Sequence, residues 1–319
     1  MSRIAKTISD LIGETPLLRL GRLGANMGGE VLVKLELFNP SGSDKDRVVR
    51  VMLDAAEADG RLRPETVIIE PTSGNIAFSL ALLAVPRGYR LILVMPDGIP
   101  TWRVHLLRAM GAEVVQSPAA YGMLGARSRA DALSRSYKSV FRPGQFTNPA
   151  NPAAHQQTAN EIWAACEGQI AAVVASVATG GTIMGVGRRL KALSKGAVRV
   201  VAVEAAASPV LSGGSPSYHQ LFGMGPPFIP DHYDPAVVDE VIAISDNQCH
   251  DTLLALYRME GVMSGPTGGA AIAAALEVAA RPEFNGKRIV TIVPDGMERY
   301  SGLRFWENFK VLMPQVWEE

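Results

Sequence analysis

The amino-acid sequence predicts an α/β protein with largely parallel sheets. Short apolar, β-branched runs alternate along the chain with longer segments in which apolar residues recur at helical spacing. Such alternation is typical of strands joined by crossover helices, which pair the strands in parallel. Several runs are followed by a Gly-, Ser- or Thr-rich turn, and ligands collect at such turns in open α/β sheets. We therefore expect the functional site to be built from these turns.

Six apolar runs are the candidate strands. In chain order they are Val31–Leu37, Val67–Glu70, Arg90–Met95, Ala171–Ser176, Val198–Val203 and Arg288–Val293. Their short length and β-branched composition indicate strands that are covered on both faces. The segments with helical period are Arg47–Ala58, Asn75–Val85, Trp102–Met110, Ala153–Ala165 and Asp251–Glu260.

Composition and charge narrow the classes of function. Lys plus Arg and Asp plus Glu both total 31 in the 319 residues, and no basic stripe with interleaved aromatic residues indicates nucleic-acid binding. Cys166 and Cys249 lie far apart without CxxC spacing or clustered histidines, which argues against a disulfide framework or a metal site. No apolar run approaches the roughly 18 residues of a membrane span, and the amino terminus lacks a signal-peptide pattern. We expect a cytoplasmic protein that acts on a small molecule and binds no metal.

The first candidate segment, Asn39–Arg47, follows a predicted strand and leads into a predicted helix. Ser43 and Asp46 have the spacing of a capping box, which places Lys45 in or beside the first helical turn. The positive end of a helix and burial both disfavour an ammonium, and so favour the neutral amine that attacks carbonyl groups. Lys45 is therefore a candidate for Schiff-base chemistry. The alternative is a solvated lysine beside Asp44 and Asp46.

Two turns between a predicted strand and a predicted helix could bind anionic groups. In Glu70–Asn75, hydroxyls, an amide and unpaired backbone N–H groups suit a carboxylate. In Ser176–Thr182, glycines let the backbone close around phosphate oxygens, and Thr179 and Thr182 add hydroxyl donors. The glycine spacing is not the GxGxxG of dinucleotide binding, so a single phosphate fits better than a pyrophosphate. A capped helix start and a turn without a ligand are the alternatives.

Two later segments could place a hydroxyl or a backbone group against a ring. Ser264–Ala270 precedes a predicted helix, and the last predicted strand runs into Pro294-Asp295-Gly296. Each is a weak signal by itself, and a simple turn is the alternative.

Taken in order, these segments resemble the cysteine synthase branch of the fold-type II pyridoxal-phosphate enzymes, which includes the O-acetylserine sulfhydrylases and cystathionine β-synthase. The resemblance runs along nearly the whole chain. Its motifs are ETPLLRL, NPSGSDKDR, EPTSGN, QFTNPANPAAH, TGGT, HQLFGMGPPFIP, SGPTGGAA and ERY. It implies a two-domain α/β fold like that of the tryptophan synthase β-subunit, with mostly parallel twisted sheets flanked by helices.

The resemblance also implies a cofactor, pyridoxal 5'-phosphate, and a role for each site residue. Lys45 would hold the cofactor as a Schiff base, Asn75 would hydrogen-bond the ring oxygen, and Thr267 would face the pyridine nitrogen. The residues that match the phosphate turn are Ala178, Thr179, Gly180, Gly181 and Thr182. Those that match the positions binding the α-carboxylate of the substrate are Thr72, Ser73, Gly74 and Gln145. A hydroxyl at the ring nitrogen favours β-elimination over racemisation or transamination.

The implied reaction is β-replacement on an activated serine through an α-aminoacrylate. The leading hypothesis is a cysteine synthase that uses O-acetylserine and sulfide. The nearest rival is a specialised β-replacement enzyme of secondary metabolism, which uses O-phosphoserine or O-acetylserine with another nucleophile. An alternative of another class is a weakly active binding partner of the carboxyl-terminal peptide of serine acetyltransferase. Cystathionine β-synthase activity and a Rossmann dehydrogenase are both disfavoured.

Several positions depart from the family pattern near the site. Ile76 stands where the family usually has a threonine beside the substrate carboxylate. Phe222, Pro226 and Pro227 alter the loop that borders the access path of the second substrate. Asp44 stands before the lysine, where small or apolar residues are commoner, and we expect its side chain to point to solvent.

The Pro- and Asn-rich stretch Gln145–Pro152 is the predicted boundary between two domains. Residues 1–148 would form a substrate-side domain, except that roughly residues 13–38 would pair into the other sheet. Residues 149–319 would form the domain that binds the cofactor phosphate. By the resemblance we expect a homodimer that closes one domain over an amino-acid substrate.

Overall fold

The described part of the computed structural model, residues 4–302, contains ten strands and eight α-helices. The strands are β1 (Leu17–Arg19), β2 (Glu30–Leu35), β3 (Val67–Pro71), β4 (Arg90–Pro96), β5 (Glu113–Ser117), β6 (Val140–Phe141), β7 (Ala172–Ser176), β8 (Arg199–Ala205), β9 (Glu240–Ile244) and β10 (Arg288–Val293). The helices are α1 (Lys45–Ala58), α2 (Ile76–Ala84), α3 (Thr101–Ala109), α4 (Gly122–Ser134), α5 (Ala150–Ala165), α6 (Gly181–Leu193), α7 (Asp246–Ala255) and α8 (Pro266–Ala279). The predicted α/β class is confirmed.

The strands form two sheets. The larger sheet has the order β1-β2-β10-β7-β8-β9, and the smaller has the order β5-β4-β3-β6. Of the strand pairs described, only β1 with β2 is antiparallel. All strands of the smaller sheet lie between Val67 and Phe141, whereas β1 and β2 join the larger sheet through the pairing of β2 with β10. The division into two domains near residue 148 stays a prediction.

The strands of the larger sheet are apolar throughout because both faces of the sheet are covered. In β8, Val201 and Val203 pack into one core while Val200 and Ala202 pack into the core on the opposite face. Neighbouring residues of a strand point to opposite faces, so a strand buried on both sides shows no alternation. Burying one of these valine side chains contributes about 1.5–3 kcal/mol.

All six predicted strands and the five helices predicted with bounds are present, and all except β10 have shifted boundaries. Helix α5 begins at Ala150 rather than Ala153, because Pro152 lies in the first turn, where its missing N–H is not needed. The segment predicted as Asp251–Glu260 begins earlier, at α7, and its last residues form a π-helical turn, Leu256–Glu260. The elements that had not been predicted are β1, β5, β6, β9 and α4.

Three further observations concern residues 4–302. No helix in this part of the chain has both the length and the apolar character that crossing a bilayer requires. Cys166 and Cys249 are both buried and have free thiols. No group of three or more His, Cys, Asp or Glu side chains in this range is arranged to hold a metal ion.

Candidate active site

A cavity of about 570 Å³ opens where β3, β7 and β10 end and where α1 begins. The turns that follow parallel strands meet at one edge of a sheet, so segments far apart in sequence converge there. The predicted site residues that line the cavity are Lys45, Thr72, Ser73, Gly74, Asn75, Gln145, Ala178, Thr179, Gly180, Thr182 and Thr267. Gly181 is not among the lining residues, and as the first residue of α6 it packs against Asn151 instead. The structure thus gathers the predicted residues, while their individual roles stay predictions.

Lys45 is the first residue of α1, and its amino group lies 2.6 Å from Oδ1 of Asp44. The prediction that Asp44 points to solvent is wrong, because its side chain is only 1% exposed. The hydroxyl of Thr182 donates to Oδ2 of Asp44 at 3.0 Å. Burial by itself would raise the pKa of Asp44, but Lys45, His155 and the hydrogen bonds from Lys45 and Thr182 bring that pKa below its usual value. Asp44 is therefore a buried, ionised group of the site.

The expected capping box between Ser43 and Asp46 is also wrong. Helix α1 has Asp44 at its N-cap, and the Asp44 side chain makes no capping hydrogen bond. The carboxylate of Asp46 instead accepts a hydrogen bond from the backbone N–H of Ser41 at 2.7 Å and another from the Ser41 hydroxyl. These bonds tie the loop before Lys45 to the first turn of the helix.

The turn from Ala178 to Thr182 fits a phosphate group. Gly180 has φ of +82°, a conformation that favours glycine. A Cβ on Gly181 would lie 2.0 Å from Oδ1 of Asn151, so this position has no room for a side chain. The N-cap of helix α6, Gly180, has no side chain, and the N–H of Gly181 donates to the Thr179 hydroxyl at 3.3 Å. The N–H groups that follow in the first turn are those that can donate to an anion. The donor set therefore matches the phosphate of pyridoxal 5'-phosphate.

The loop from Thr72 to Asn75 follows β3 and lines the cavity. The hydroxyl of Thr72 accepts a hydrogen bond from the N–H of Gly74 at 3.0 Å, which curls the loop before α2. Arg103 of α3 donates to the carbonyl oxygen of Ser73 at 2.9 Å and to that of Arg299. This buried guanidinium therefore connects the loop to the segment after β10. Arg103 lies within a helix, and sequence reasoning missed it.

Gln145 approaches the cavity from the loop that precedes α5. Glu70, at the end of β3, accepts a hydrogen bond from the N–H of Gly144 at 3.2 Å and holds this loop in place. Burial raises the pKa of Glu70 to about 7, against the opposing effect of backbone hydrogen bonds from Gly144 and Gln145. The carbonyl oxygen of Gln145 also accepts from Asn151 at 2.7 Å.

Asp295 closes the cavity on the side of β10. Its Oδ2 atom accepts hydrogen bonds from Asn75 and from the Tyr300 hydroxyl, each at 2.6 Å. Its Oδ1 atom is buried and has no hydrogen-bond partner among the described residues. Burial raises the pKa of Asp295 to about 6, although the hydrogen bonds from Tyr300 and Asn75 oppose the increase. The sequence had singled out the segment around Asp295, but not its contact with Asn75.

Most of the residues that differ from the family pattern lie around the same cavity. Ile76, Phe222 and Pro226 line it, whereas Pro227 is exposed and is not among the lining residues. Ile76 is almost completely buried as the first residue of α2. Thr267 donates its hydroxyl proton to the carbonyl oxygen of Phe222 at 3.1 Å, so the altered loop touches the residue expected at the pyridine nitrogen.

Comparison with known proteins agrees with this arrangement. The model of the family described as pyridoxal-phosphate dependent enzyme matches residues 8–295. A probable cysteine synthase of Bacillus subtilis (strain 168) is 46% identical over 310 residues, which cover 96% of this chain and 99% of that protein. The likeness thus extends over Lys45, the Thr72–Asn75 loop and the Ala178–Thr182 turn.

Solved structures show the same fold. A cysteine synthase (OASS) of Entamoeba histolytica superposes with a TM-score of 0.92 at 39% identity, covering 96% of this chain and 91% of that one. An O-ureido-L-serine synthase superposes with a TM-score of 0.90 at 38% identity and covers 96% of each chain. The expected fold-type II architecture is confirmed. Likeness of this extent, in sequence and in fold, shows that the chain belongs to the pyridoxal-phosphate dependent enzymes, among the members of the cysteine synthase type.

Proposed function

We propose that the protein is a cysteine synthase that converts O-acetylserine and sulfide into cysteine and acetate. The observation that carries the proposal is that the Lys45 amino group shares one cavity with the Thr72–Asn75 loop and with the Ala178–Thr182 turn. These are the three parts that a lysine-bound cofactor and an amino-acid substrate require. The names of the relatives over nearly the full chain length support the same activity.

When bound, the cofactor supplies an electron sink for the negative charge that develops at the substrate α-carbon. The side chains of this protein do the remaining work. Lys45 binds the cofactor and then takes and returns the α-proton through its amino nitrogen. The hydroxyls of Thr72 and Ser73, the backbone of Gly74 and the Gln145 side chain hold the α-carboxylate. The N-terminus of α6 and the turn before it would hold the phosphate.

The orientation of the substrate also depends on side chains that hold the two substrate-binding loops in place. Arg103 anchors the Ser73 carbonyl, and Glu70 anchors the Gly144–Gln145 backbone. The two halves of the carboxylate site are therefore fixed independently. A site preorganised in this way does not have to order its loops when the substrate arrives.

A second candidate is β-replacement with a nucleophile other than sulfide. Ile76, Phe222 and Pro226 line the cavity and all differ from the usual family residues. An apolar side chain in place of a hydroxyl and a stiff proline at the wall change the shape and polarity available to the second substrate. The structural likeness to an O-ureido-L-serine synthase supports this candidate.

The test is the visible absorbance of the purified protein before and after addition of O-acetylserine, then of O-phosphoserine. A new band that sulfide discharges faster than any other nucleophile supports cysteine synthase. Discharge only by another nucleophile supports the second candidate. Lys45→Ala should lose the cofactor band, with the exposed Lys195→Ala as the control. A band that survives in Lys45→Ala would contradict the assigned role of this lysine.

Four further proposals concern the oligomeric state, the location, the domain motion and a partner of the enzyme. We propose a homodimer, a cytoplasmic location, closure of residues 1–148 over the substrate, and docking of the serine acetyltransferase carboxyl-terminal peptide in the cavity. Light scattering after size-exclusion chromatography tests the dimer, and a solely monomeric species would contradict it. Titration with the peptide, followed by competition with O-acetylserine, tests the docking.

A further inference from the structure

Asp44 is the most unusual charged group of the site. Its side chain is 1% exposed, yet it lies against the amino group of Lys45 at 2.6 Å. Its second oxygen accepts from the Thr182 hydroxyl at 3.0 Å and lies 3.8 Å from Nε2 of His155. Burying a carboxylate is costly unless a cation and hydrogen bonds compensate it. The question is therefore which group balances the charge of Asp44.

His155 does not supply the balancing charge. Its side chain is fully buried, and burial lowers the pKa of His155 to about 4, against the opposing effect of Asp44. The imidazole is therefore neutral near neutral pH. Its Nδ1 atom lies 3.3 Å from the Thr158 hydroxyl and its Nε2 atom lies 3.4 Å from the Thr182 hydroxyl, so His155 completes a chain of polar contacts that begins at Lys45.

The other charged groups nearby do not change this balance. Asp295 faces Asp44 and Lys45 from the end of β10, and as an acid it adds no positive charge. Arg47 and Glu36 lie behind His155 and form their own ion pair at 2.6 Å. Within residues 4–302, the cation that contacts Asp44 is thus the Lys45 ammonium.

We propose that Asp44 is a positioning residue that holds a proton on the Lys45 nitrogen before the substrate binds and aims this nitrogen into the cavity. The inference rests on the proposed role of Lys45 as the cofactor lysine. Removing the proton would leave a buried carboxylate without a cation, so Asp44 favours the protonated nitrogen. Through Thr182, the same carboxylate also connects the lysine to the phosphate turn, so one side chain sets both the charge and the placement of Lys45.

The experiment is a pH profile of the visible cofactor band of the purified holoenzyme, from about pH 6 to about pH 10. Asp44→Asn keeps the shape of the side chain and removes its charge. We expect the midpoint of the spectral change to fall by about one to three pH units, the usual effect of removing an opposite charge at contact distance. Asp44→Glu, which keeps the charge, should lie nearer to wild type.

The matched control is Asp46→Asn. Asp46 is the other neighbour of Lys45 in sequence and is equally buried, but its carboxylate contacts Ser41 instead of the amino group. Its midpoint should stay close to that of wild type. An unchanged profile in Asp44→Asn, or an equal shift in both variants, would overturn the inference.

A second measurement covers variants that do not retain the cofactor. The rate at which trinitrobenzenesulfonate modifies Lys45 is followed by mass spectrometry of its peptide, in cofactor-free wild type and variants. Asp44→Asn should react about tenfold faster or more at about pH 8, because a larger fraction of its amine is neutral. An equal rate overturns the inference. This measurement does not require the cofactor. It therefore tests the effect of Asp44 on Lys45 even if the proposed function is wrong.

Discussion

Nδ2 of Asn75 donates a hydrogen bond to Oδ2 of Asp295 at 2.6 Å and so joins two residues that are 220 positions apart in the chain. Asn75 stands at the start of α2, beside the smaller sheet, and Asp295 follows the last strand of the larger sheet. A carboxylate that accepts from Asn75 fixes the orientation of its amide. The residue expected at the cofactor ring oxygen is thus oriented from the opposite side of the cavity.

Replacing Asp295 should therefore weaken cofactor binding. In Asp295→Asn the charge-assisted bonds to Asn75 and Tyr300 are lost. Because a hydrogen bond to a charged group contributes about 1.5–3 kcal/mol, we expect the dissociation constant for pyridoxal 5'-phosphate to rise roughly tenfold or more. Absorbance titration of cofactor-free protein measures it. Asp251→Asn, which removes a carboxylate that is 80% exposed, is the control. Equal affinities for both variants would contradict the role of Asp295.

Glu70 should make the stability of the protein depend on pH. Its pKa is raised to about 7 in the folded protein, so the unfolded chain loses this proton first as the pH rises. The free energy of unfolding should consequently fall between about pH 4.5 and about pH 7, by a few kcal/mol at roughly 1.4 kcal/mol per pKa unit. Glu70→Gln should flatten this part of the profile, as measured by urea unfolding at several pH values.

The control for this prediction is Glu65→Gln, because Glu65 is exposed on the preceding loop. It should retain the wild-type profile. A Glu70→Gln protein that loses stability over the same pH range as wild type would show that another group is responsible.

Ile76→Thr should strengthen binding of the amino-acid substrate. The new hydroxyl would reach the α-carboxylate site at the start of α2, and one hydrogen bond to a charged group corresponds to roughly a tenfold lower KM. Loss of two buried carbons should lower the free energy of unfolding by about 2 kcal/mol. Steady-state kinetics with O-acetylserine measure the first effect. Ile76→Val, which shortens the side chain without adding a hydroxyl, should leave KM unchanged, and a similar KM in both variants would refute the idea.

Gly181→Ala should disturb the phosphate turn and the Gln145 loop together. The added Cβ would lie 2.0 Å from Oδ1 of Asn151 and would displace this side chain. Asn151 donates to Thr179 at 2.9 Å and to the carbonyl oxygen of Gln145 at 2.7 Å, so both contacts would loosen. We expect a loss of about 1–3 kcal/mol in stability and weaker cofactor binding. Calorimetry and cofactor titration check both, and Gly21→Ala, where a Cβ meets nothing within 4 Å, is the control.

Most of the cavity wall could be predicted because its residues occur in contiguous turns directly after strands. Thr72–Asn75 and Ala178–Thr182 are examples, since a strand, a turn and a helix start are each visible in local sequence. Arg103 could not be found in this way. It lies inside α3, and it reaches Ser73 only because α3 packs beside the loop, which is a property of the tertiary structure.

The environment of Asp44 and several short or edge strands also could not be predicted from local sequence. A carboxylate is expected in solvent unless partners compensate its burial, and Thr182, one partner of Asp44, lies 138 residues away. The strands β1 and β6 have three and two residues, which is too short for a periodic pattern. The strands β5 and β9 lie at sheet edges with mixed burial. In β5 only two consecutive residues are apolar, whereas β9 does contain an apolar run, Val241–Ile244, which sequence reasoning missed.

The pairing of β2 with β10 constrains the order in which the protein can fold. Arg288 binds Glu30 across 258 residues, and β2 has only the short β1 as a partner until β10 has left the ribosome. The smaller sheet, complete at Phe141, can assemble long before that point. The apolar strand β2 therefore stays incompletely paired during most of translation. Closing this long loop should be a slow, late step, and the nascent chain is open to aggregation until it occurs.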